Sequence, residues 1–375
     1  MNRTGTYIPQ LQGDLQYKAF IPNALDYPIK WDNQLHQFVS NAALALGRLD
    51  GISEILPDVD FFIFMYIRKE ATLSSQVEGT QATFSDVLKA EAKIEDAEIH
   101  KDVDEIRNYI LAMNHGLARL KDFPLSGRLI REIHAILLRG VRGEHKYPGE
   151  FRQTQNWVGG STLKTARFIP PPPHEMNLSI DNLEKFIHHN NEIPILVKIA
   201  LIHAQFETIH PFLDGNGRIG RLLITFYLCQ QGALGKPLLY LSEYFKAHRT
   251  EYYDRLDAYH EKDDIEGWLK FFLEGVAITA DKAVETTRRI LRLREQDVHK
   301  VMALGRSSAN GKKVLDYLYK SPYIQIKNVE TITGLKNPNA LALVNKLEKA
   351  NILEEFTGKT RNKIFAYHDY LKLFE

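Results

Sequence analysis

Regularly spaced apolar residues in the middle of the chain place the strongest constraint on its fold. Residues 191–210 read NEIPILVKIALIHAQFETIH, and intervals of four and three residues separate Ile195, Ile199, Ile202, Phe206 and Ile209. Because an α-helix completes a turn every 3.6 residues, these side chains share one face. The pattern predicts a core helix that ends at His210, where Pro211 limits any continuation.

Other stretches show the same helical spacing, so the chain is predicted to be mainly α. Helical patterns cover residues 35–52, 61–79, 102–120, 126–141, 217–232 and 260–300. The first 30 residues, rich in Pro, Gly and Tyr, are predicted to be irregular. Residues 156–168 carry Gly159 and Gly160 between two short apolar runs, which predicts a hairpin of two strands. Four prolines at 170–173 are expected to stop any strand or helix.

Composition excludes several classes of protein. The 375 residues are enough for two or three domains, and 48 Lys and Arg balance 47 Asp and Glu, so no global field draws the chain to nucleic acid or membrane. The single cysteine, Cys229, excludes an intrachain disulfide and is predicted to be a buried, small apolar residue. No apolar run has the length of a membrane span or a signal peptide, so we expect a cytoplasmic protein.

The loop after the core helix, DGNG at residues 214–217, predicts an anion site. Its two glycines permit positive φ, and the helix that follows adds unpaired N–H groups and the positive end of its dipole. Arg218 and Arg221 share a face of that helix although cations oppose the dipole there, which indicates a bound di- or triphosphate. A glycine turn before a solvated arginine pair is the alternative. Asp214 could bind Mg²⁺, and His210 could accept a proton from a hydroxyl that attacks phosphorus.

The stretch HPFLDGNGRIGR, residues 210–221, matches every fixed position of the Fic family signature, His-x-Phe-x-Asp/Glu-Gly-Asn-Gly-Arg-x-x-Arg. The chain therefore resembles Fic proteins from about residue 60 to the C-terminus, most specifically over residues 125–255. The resemblance implies that His210 is the catalytic base, that Phe212 anchors the loop and that Asp214 binds Mg²⁺. It also implies that the nucleotide is bound by Gly215, Asn216, Gly217, Arg218, Ile219, Gly220 and Arg221.

The resemblance also implies a reaction and a fold. Residues 215–218 would hold the α- and β-phosphates of ATP and Arg221 the γ-phosphate, and AMP would be transferred to a Ser, Thr or Tyr hydroxyl with release of pyrophosphate. The implied fold is a Fic helical bundle with a β-hairpin flap. The predicted hairpin at 156–168 would be this flap, which aligns the target segment by main-chain pairing.

A second informative stretch, SSQVEGT at residues 74–80, ends a predicted helix with a carboxylate that opposes the helix dipole. A surface glutamate at a frayed terminus is one interpretation. The resemblance offers another, because Ser74-x-x-x-Glu78-Gly79 is similar to the inhibitory pattern of the family. It implies that Glu78 forms a bidentate pair with Arg221 and turns ATP away from in-line attack. An activity that removes AMP from a modified protein stays open.

Histidines and tyrosines outside the signature have more ordinary interpretations. Fic proteins tend to carry Asn-Arg before a double tyrosine, where this chain has His248-Arg249, so His248 and Tyr252 are the implied adenine contacts, although aromatic residues at this spacing are more often core. His203 lies seven residues before His210, whereas helical metal pairs usually lie four apart. A packed or hydrogen-bonded core role is predicted for His203, His134, His188 and His189.

Residues 312–375 read as three helices followed by two short strands, the order of a winged helix-turn-helix domain. From Lys300 to the last residue the chain has 13 Lys and Arg against 7 Asp and Glu, a net charge of +6, whereas the whole chain has +1. The candidate phosphate contacts are Lys336, Lys346, Lys359, Arg361 and Lys363. DNA binding is one interpretation; protein binding or dimerisation is the other, because the presumed recognition helix has no arginine.

These inferences combine into three regions and two hypotheses. Residues 1–120 would carry the inhibitory helix at about 66–79, 121–300 the Fic catalytic core, and 301–375 the winged-helix domain. The first hypothesis is a Mg²⁺-dependent protein adenylyltransferase that uses ATP, modifies a target protein and itself, forms a possible homodimer and is inhibited by Glu78. The second is a DNA-binding regulator whose Fic core senses nucleotide. The complete signature favours the enzyme, because a sensor needs no base at His210.

Overall fold

The computed structural model describes residues 2–13, 16–54, 59–92, 101–189, 192–358 and 362–374, and its architecture is mainly α, as predicted. Two helices at the centre, α7 (Ile195–Ile209) and α8 (Asn216–Gln230), are buried along nearly their whole length. α7 packs against α8, α1 (Asn33–Glu54), α6 (Pro173–His188) and α11 (Ile265–Met302). The predicted apolar face is therefore one side of a helix that is enclosed all round.

The other helices of this core surround the central pair. They are α2 (Val59–Val77), α3 (Phe84–Glu91), α4 (Val103–Arg119), α5 (Gly127–Leu137), α9 (Ser242–Ala247) and α10 (Arg249–Glu261). Side-chain caps fix several of their starts: Thr83 and Asp86 form a capping box on α3, and Ser126 accepts from the third N–H of α5. α2 contacts α4, α8 and α9, and hydrogen bonds from Arg221 to Ser74 place its C-terminal end near the start of α8.

The N-terminal residues form an antiparallel hairpin, which corrects the prediction of irregular chain. β1 (Gly5–Gln10) pairs with β2 (Tyr17–Pro22). Pro9 is tolerated in β1 because an edge strand does not need every N–H for pairing. Ala19 and Phe20 of β2 are fully buried, so packing against the helices outweighs the turn-rich composition.

The flap segment, residues 156–168, contains less strand structure than the predicted pair of strands. It contains a single antiparallel bridge, in which the Val158 N–H donates to the Phe168 C=O at 2.9 Å. Gly159 and Gly160 both take a φ of +69° and make the turn. The prolines that follow also behave differently from the prediction, because Pro173 begins α6, where its missing N–H leaves no bond unmade.

The C-terminal region follows α11, which has 38 residues. Its elements are α12 (Ser308–Leu318), β3 (Tyr323–Gln325), α13 (Ile326–Thr333), α14 (Asn337–Lys349), β4 (Glu354–Glu355), β5 (Ile364–Ala366) and α15 (His368–Leu371). The three strands form an antiparallel sheet in the order β3–β5–β4. Three helices before two strands agree with the predicted order, whereas β3 and α15 were not predicted.

The assignment of this region to the winged-helix class stays a prediction, as does DNA binding. Lys359 and Arg361 lie outside the described residues. Lys346 is engaged within the protein, because its Nζ atom donates to Ser307 Oγ at 2.8 Å. In the described ranges, no helix combines the length and the apolarity needed to cross a membrane.

Candidate active site

His210 lies at the junction of α7 and α8 in a conformation that ends α7. Its φ is +48°, in the left-handed region, and its N–H still donates to the Phe206 C=O at 3.0 Å. Gly215 precedes α8 with a φ of +80°, as a glycine turn requires. Gly217, predicted to share this freedom, lies inside α8 and needs no positive φ.

Asn216 and Phe212 hold the loop in shape. The Phe212 N–H donates to Asn216 Oδ1 and Asn216 Nδ2 donates to the Phe212 C=O, both at 2.8 Å. Phe212 is fully buried, and its ring is stacked on His134 with the centroids 3.7 Å apart. The position of Phe212 fits an anchor, and the Asn216 side-chain amide folds the loop.

His134 fixes the same loop from α5. The Gly149 N–H donates to its Nδ1 atom at 2.8 Å, so the proton lies on Nε2, which is 3.0 Å from the Asp214 C=O. Burial lowers the pKa of His134 to about 4, so the ring is neutral. The predicted core histidine is therefore also the support of Asp214.

The protonation state of His210 suits a general base. Its Nδ1 atom lies 3.3 Å from the Glu207 C=O, and because a carbonyl can only accept, Nδ1 carries the proton and Nε2 the lone pair. Burial lowers the pKa of His210 to about 4, and the Arg152 cation acts in the same direction. The imidazole is thus neutral near pH 7, with Nε2 able to accept a proton.

Arg152, which sequence reasoning missed, ties the loop to the residues on either side of the flap. Its Nε atom donates to the His210 C=O at 2.9 Å, and its Nη2 atom donates to the Pro171 C=O. Asn156, at the start of the flap, donates to the Phe212 C=O at 2.9 Å. Burial lowers the pKa of Arg152 to about 10. No spacing in the sequence signals this role, since the bonds go to backbone carbonyls far along the chain.

The guanidinium of Arg221 is shared by two residues at the end of α2. Nε donates to Ser74 Oγ at 2.8 Å, and Nη2 donates to the Ser74 C=O at 2.9 Å and to Glu78 Oε1 at 2.8 Å. The pair expected between Glu78 and Arg221 is present, but it is made through Nη2 and Oε1 and is not bidentate, and Ser74 shares the same guanidinium through Nε and Nη2. Burial alone would raise the pKa of Glu78, but Arg221 outweighs it and holds that pKa below its ordinary value.

Glu78 places its carboxylate on the first turn of α8. It follows the last residue of α2, Val77, in a turn that Gly79 completes with a φ of +96°. A Cβ atom at Gly217 would lie 2.2 Å from Glu78 Oε1, so glycine is needed there for close approach. The N-terminal turn of α8 thus already holds an anion, supplied by the chain itself.

Arg218 is a buried cation with unused donors. Its Nη2 atom lies 3.4 Å from Asp214 Oδ1, and Nη1 lies 3.8 Å from Oε2 of Glu105, a residue that sequence reasoning missed. Within the described chain, its Nε and Nη1 atoms have no hydrogen-bond partner, although the side chain is 1% exposed. Because unsatisfied buried donors are costly, this guanidinium fits a ligand anion.

Asp214 can accept a cation at the rim of the loop. Its Oδ1 atom accepts from the Gly215 N–H at 2.6 Å, and its side chain is 34% exposed. Among the residues described, no group of three or more His, Cys, Asp and Glu could hold a metal by itself. A cation at Asp214 would therefore need oxygen ligands from a nucleotide or from water.

Comparison with known proteins supports the match between this loop and the Fic signature. The family model described as Fic/DOC family N-terminal matches residues 36–118, and the Fic/DOC family model matches residues 124–228, which include the whole loop from His210 to Arg221. The chain belongs to the Fic family. Its Fic signature and its α2 segment fall in separate matches, and the fold brings them together through Arg221 and Glu78.

Curated relatives of this Fic protein are named as adenylyltransferases. A probable protein adenylyltransferase of Aquifex aeolicus is 28% identical over 195 residues, which are 49% of this chain and 55% of that protein. The protein adenylyltransferase Fic of Culex quinquefasciatus is 33% identical over 192 residues, 48% of this chain and 34% of that protein. The chain thus spans about half of the first relative and a third of the second.

Solved structures show the same fold at low sequence identity. A Fic family protein from Desulfovibrio desulfuricans aligns with 91% of this chain and 97% of its own, at 19% identity and a TM-score of 0.59. A Fic-domain-containing signaling protein from Bacteroides thetaiotaomicron covers 66% of this chain and 97% of its own, at 19% identity and a TM-score of 0.53.

Two residues of the Fic signature for which a nucleotide contact was expected, Ile219 and Gly220, face the protein interior. Ile219 is 1% exposed and belongs to the core. Gly220 lies against Glu207, whose Oε1 atom would be 2.3 Å from a Cβ at that position. That Glu207 atom is buried without a hydrogen-bond partner in the described structure, and burial raises the pKa of Glu207 to about 8.

Tyr252, the expected adenine contact, is packed in the core in this structure. Tyr252 is 1% exposed, its ring is stacked on Phe245, and its hydroxyl lies 2.9 Å from His203 Nε2. Its ring therefore has no face open to a base, and His203 is the hydrogen-bonded core residue that was predicted. His248 is exposed, with Nδ1 3.0 Å from the Tyr244 C=O, so it stays a candidate contact.

The structure also bears on the predictions made for His188, His189 and Cys229. His188 and His189 are exposed at the end of α6, so a core role is wrong for both. Cys229 is partly buried, and burial raises the pKa of its thiol to about 12, which leaves it unreactive. None of the three lies in the candidate site.

Proposed function

We propose that this Fic protein transfers AMP from ATP to a hydroxyl group of a protein, and that Glu78 inhibits the transfer. The observation that carries the proposal is the Glu78 carboxylate on Arg221 and Gly217, because this internal anion occupies the helix terminus that the terminal phosphates of ATP would need. The names of the curated relatives support the same reaction.

The chain would supply the following groups for the reaction. The buried donors of Arg218 and the first N–H groups of α8 bind the phosphates, and Arg221 binds the γ-phosphate once Glu78 leaves. The target hydroxyl oxygen attacks the α-phosphorus, the bond from that phosphorus to the leaving oxygen breaks, and pyrophosphate departs. His210 Nε2 receives the hydroxyl proton.

The metal that accompanies ATP would be held by Asp214. Its partly exposed carboxylate and the lack of a complete protein-only ligand set in the described residues fit Mg²⁺, which usually binds one or two carboxylates together with substrate phosphates. When bound, Mg²⁺ neutralises phosphate charge. Arg218, 3.4 Å from Asp214, would keep the carboxylate and the phosphates in one place.

The flap segment would position the target. Asn156 bonds the flap to the Phe212 C=O, and Arg152 bonds the His210 C=O to the residues on either side of the flap, so the flap and His210 keep a fixed relation. Misplacing reacting groups by about 1 Å can reduce a rate about 100-fold. The same argument explains inhibition: Glu78 need only displace the γ-phosphate to move the α-phosphorus away from the hydroxyl.

The test is transfer of label from ATP to protein. With ATP labelled on the α-phosphate, Glu78→Gly is expected to incorporate on the order of 100 times more label than the wild type. Glu78→Gly combined with His210→Ala should incorporate almost none, since a general base contributes roughly 100- to 10,000-fold. Label from the γ-phosphate must stay in solution. Equal incorporation by wild type and Glu78→Gly would remove the inhibitory role, and transfer from the γ-phosphate would make the protein a kinase.

A further inference from the structure

The C-terminal end of α2 carries Glu78, so any group that fixes this end also fixes the inhibitor. A helix leaves its last four C=O groups without intrahelical partners. In α2 they belong to Ser74, Ser75, Gln76 and Val77. Such groups are nearly always satisfied in a folded protein, and the identity of their donors shows what holds the helix end.

Three of these four C=O groups bond to the site or to the turn that follows. Ser74 accepts from Arg221 Nη2 at 2.9 Å. Ser75 and Gln76 accept from backbone N–H groups of residues 78–80 at 3.1 to 3.2 Å. These bonds shape the turn around Glu78, but three of the four donors, the N–H groups of residues 78–80, belong to the turn itself and move with it.

The fourth C=O group, that of Val77, accepts from Arg249 Nε at 3.1 Å. Arg249 is the first residue of α10, and its guanidinium carbon lies 5.5 Å from the centre of the Tyr253 ring, which supports it from one face. A cation at a helix C-terminus is also favoured by the helix dipole. Lys246 adds a second cation, with its Nζ atom 2.7 Å from Gln76 Oε1.

We infer that Arg249 is a positioning residue that caps α2 and thereby holds Glu78 against Arg221. The inference rests on the proposed function, because the inhibitory role of Glu78 belongs to that proposal. It assigns Arg249 a role opposite to a nucleotide contact: removing a restraint on the inhibitor raises transfer, whereas removing a nucleotide contact lowers it.

Four proteins separate these roles: the wild type, Arg249→Ala, Glu78→Gly and the double variant. With α-labelled ATP, Arg249→Ala is expected to raise incorporation roughly 5- to 30-fold over the wild type, the change that follows from losing one or two kcal/mol. Glu78→Gly and the double variant are expected to be equal, because no inhibitor is left to position. Arg249→Lys, which can still donate to the Val77 C=O, should remain close to the wild type.

Arg255→Ala is the matched control. Arg255 lies on the same helix, and in the described structure its ion pairs are with Glu251 and Asp264 rather than with α2. This variant is expected to keep the wild-type rate. A melting temperature for each variant confirms that the proteins compared are folded.

Hydrogen exchange gives a readout that does not depend on transfer. The amides of residues 78–80 donate to α2 carbonyls, so they should exchange faster in Arg249→Ala than in the wild type and Arg255→Ala. Unchanged exchange, unchanged transfer, or lower transfer in the double variant than in Glu78→Gly would each overturn the inference. If Glu78→Gly itself transfers no AMP, the proposed function fails, and exchange alone decides whether Arg249 restrains this turn.

Discussion

The Glu78 carboxylate and the Arg221 guanidinium meet on the first turn of α8, with Oε1 2.8 Å from Nη2. The two residues come from helices that are distant in sequence, and the pair closes the terminus at which an anionic ligand would bind. An arginine that opposes the dipole of its own helix is therefore balanced, in this state, by an acid from the end of another helix. Four effects at this site and its surroundings can be measured.

Ser74→Ala is expected to weaken inhibition without removing it. The substitution deletes the bond from Arg221 Nε to Ser74 Oγ but leaves the bond to Glu78, so the guanidinium can turn towards a phosphate more easily. Since a hydrogen bond to a charged group contributes about 1.5–3 kcal/mol, AMP incorporation should rise about tenfold or more. Ser75→Ala is the control, because Ser75 Oγ has no hydrogen-bond partner in the described structure. Equal rates for the two variants would show that Ser74 does not restrain Arg221.

The transfer rate of Glu78→Gly should not depend on the protonation of His210 between pH 6 and 9. The pKa of His210 is lowered to about 4, chiefly by burial. Nε2 is therefore unprotonated throughout this range, and its lone pair is lost only as the pH falls towards that pKa. Glu78 raises the pKa of His210, so removing Glu78 does not move the acid side of the pH profile to higher pH. Initial rates measured against pH, with circular dichroism to confirm folding, test this; a midpoint near the ordinary value of 6.5 would contradict it.

Asp214→Asn should weaken nucleotide binding in the presence of Mg²⁺ but not in its absence. The amide keeps the size of the side chain and the bond to the Gly215 N–H, while it removes the charge that would hold the cation. Calorimetric titration of Glu78→Gly with ATP should show a loss of about tenfold in affinity with Mg²⁺, from roughly 1.4 kcal/mol. Asp281→Asn, a surface substitution on α11, should leave affinity unchanged. An equal loss after chelation of the metal would assign Asp214 a role other than cation binding.

Glu207→Gln should stabilise the protein at high pH. Burial raises the pKa of Glu207 from 4.5 to about 8, so between these values the folded protein keeps a proton that the unfolded chain releases. The free energy of unfolding therefore falls as the pH rises through this window. At pH 8 the variant should gain on the order of 1–3 kcal/mol, and at pH 4.5 almost nothing.

Urea denaturation at the two pH values measures the effect of Glu207→Gln. Glu251→Gln, an exposed substitution on α10, serves as its control and should change stability little at either pH. If Glu207→Gln were no more stabilising at pH 8 than at pH 4.5, the carboxyl would not be held protonated.

The helical class, the core helix α7 and the His210–Arg221 loop could all be predicted from the sequence. These features depend on local regularities: apolar spacing, a glycine turn and a contiguous signature. Residues 74–80 could be singled out for the same reason, although their partner came from family resemblance. The N-terminal hairpin was missed because burial of Ala19 and Phe20 against distant helices outweighs a turn-rich composition.

The contacts made by each residue of the site became visible only in the folded chain. It showed that Asn216 shapes the loop, that Tyr252 is core, and that Ser74 shares the Arg221 guanidinium with Glu78. It also revealed Arg152, which no local pattern marks. Spacing along a helix or turn fixes which way a side chain points, but its hydrogen-bond partner is set by packing between segments far apart in the chain.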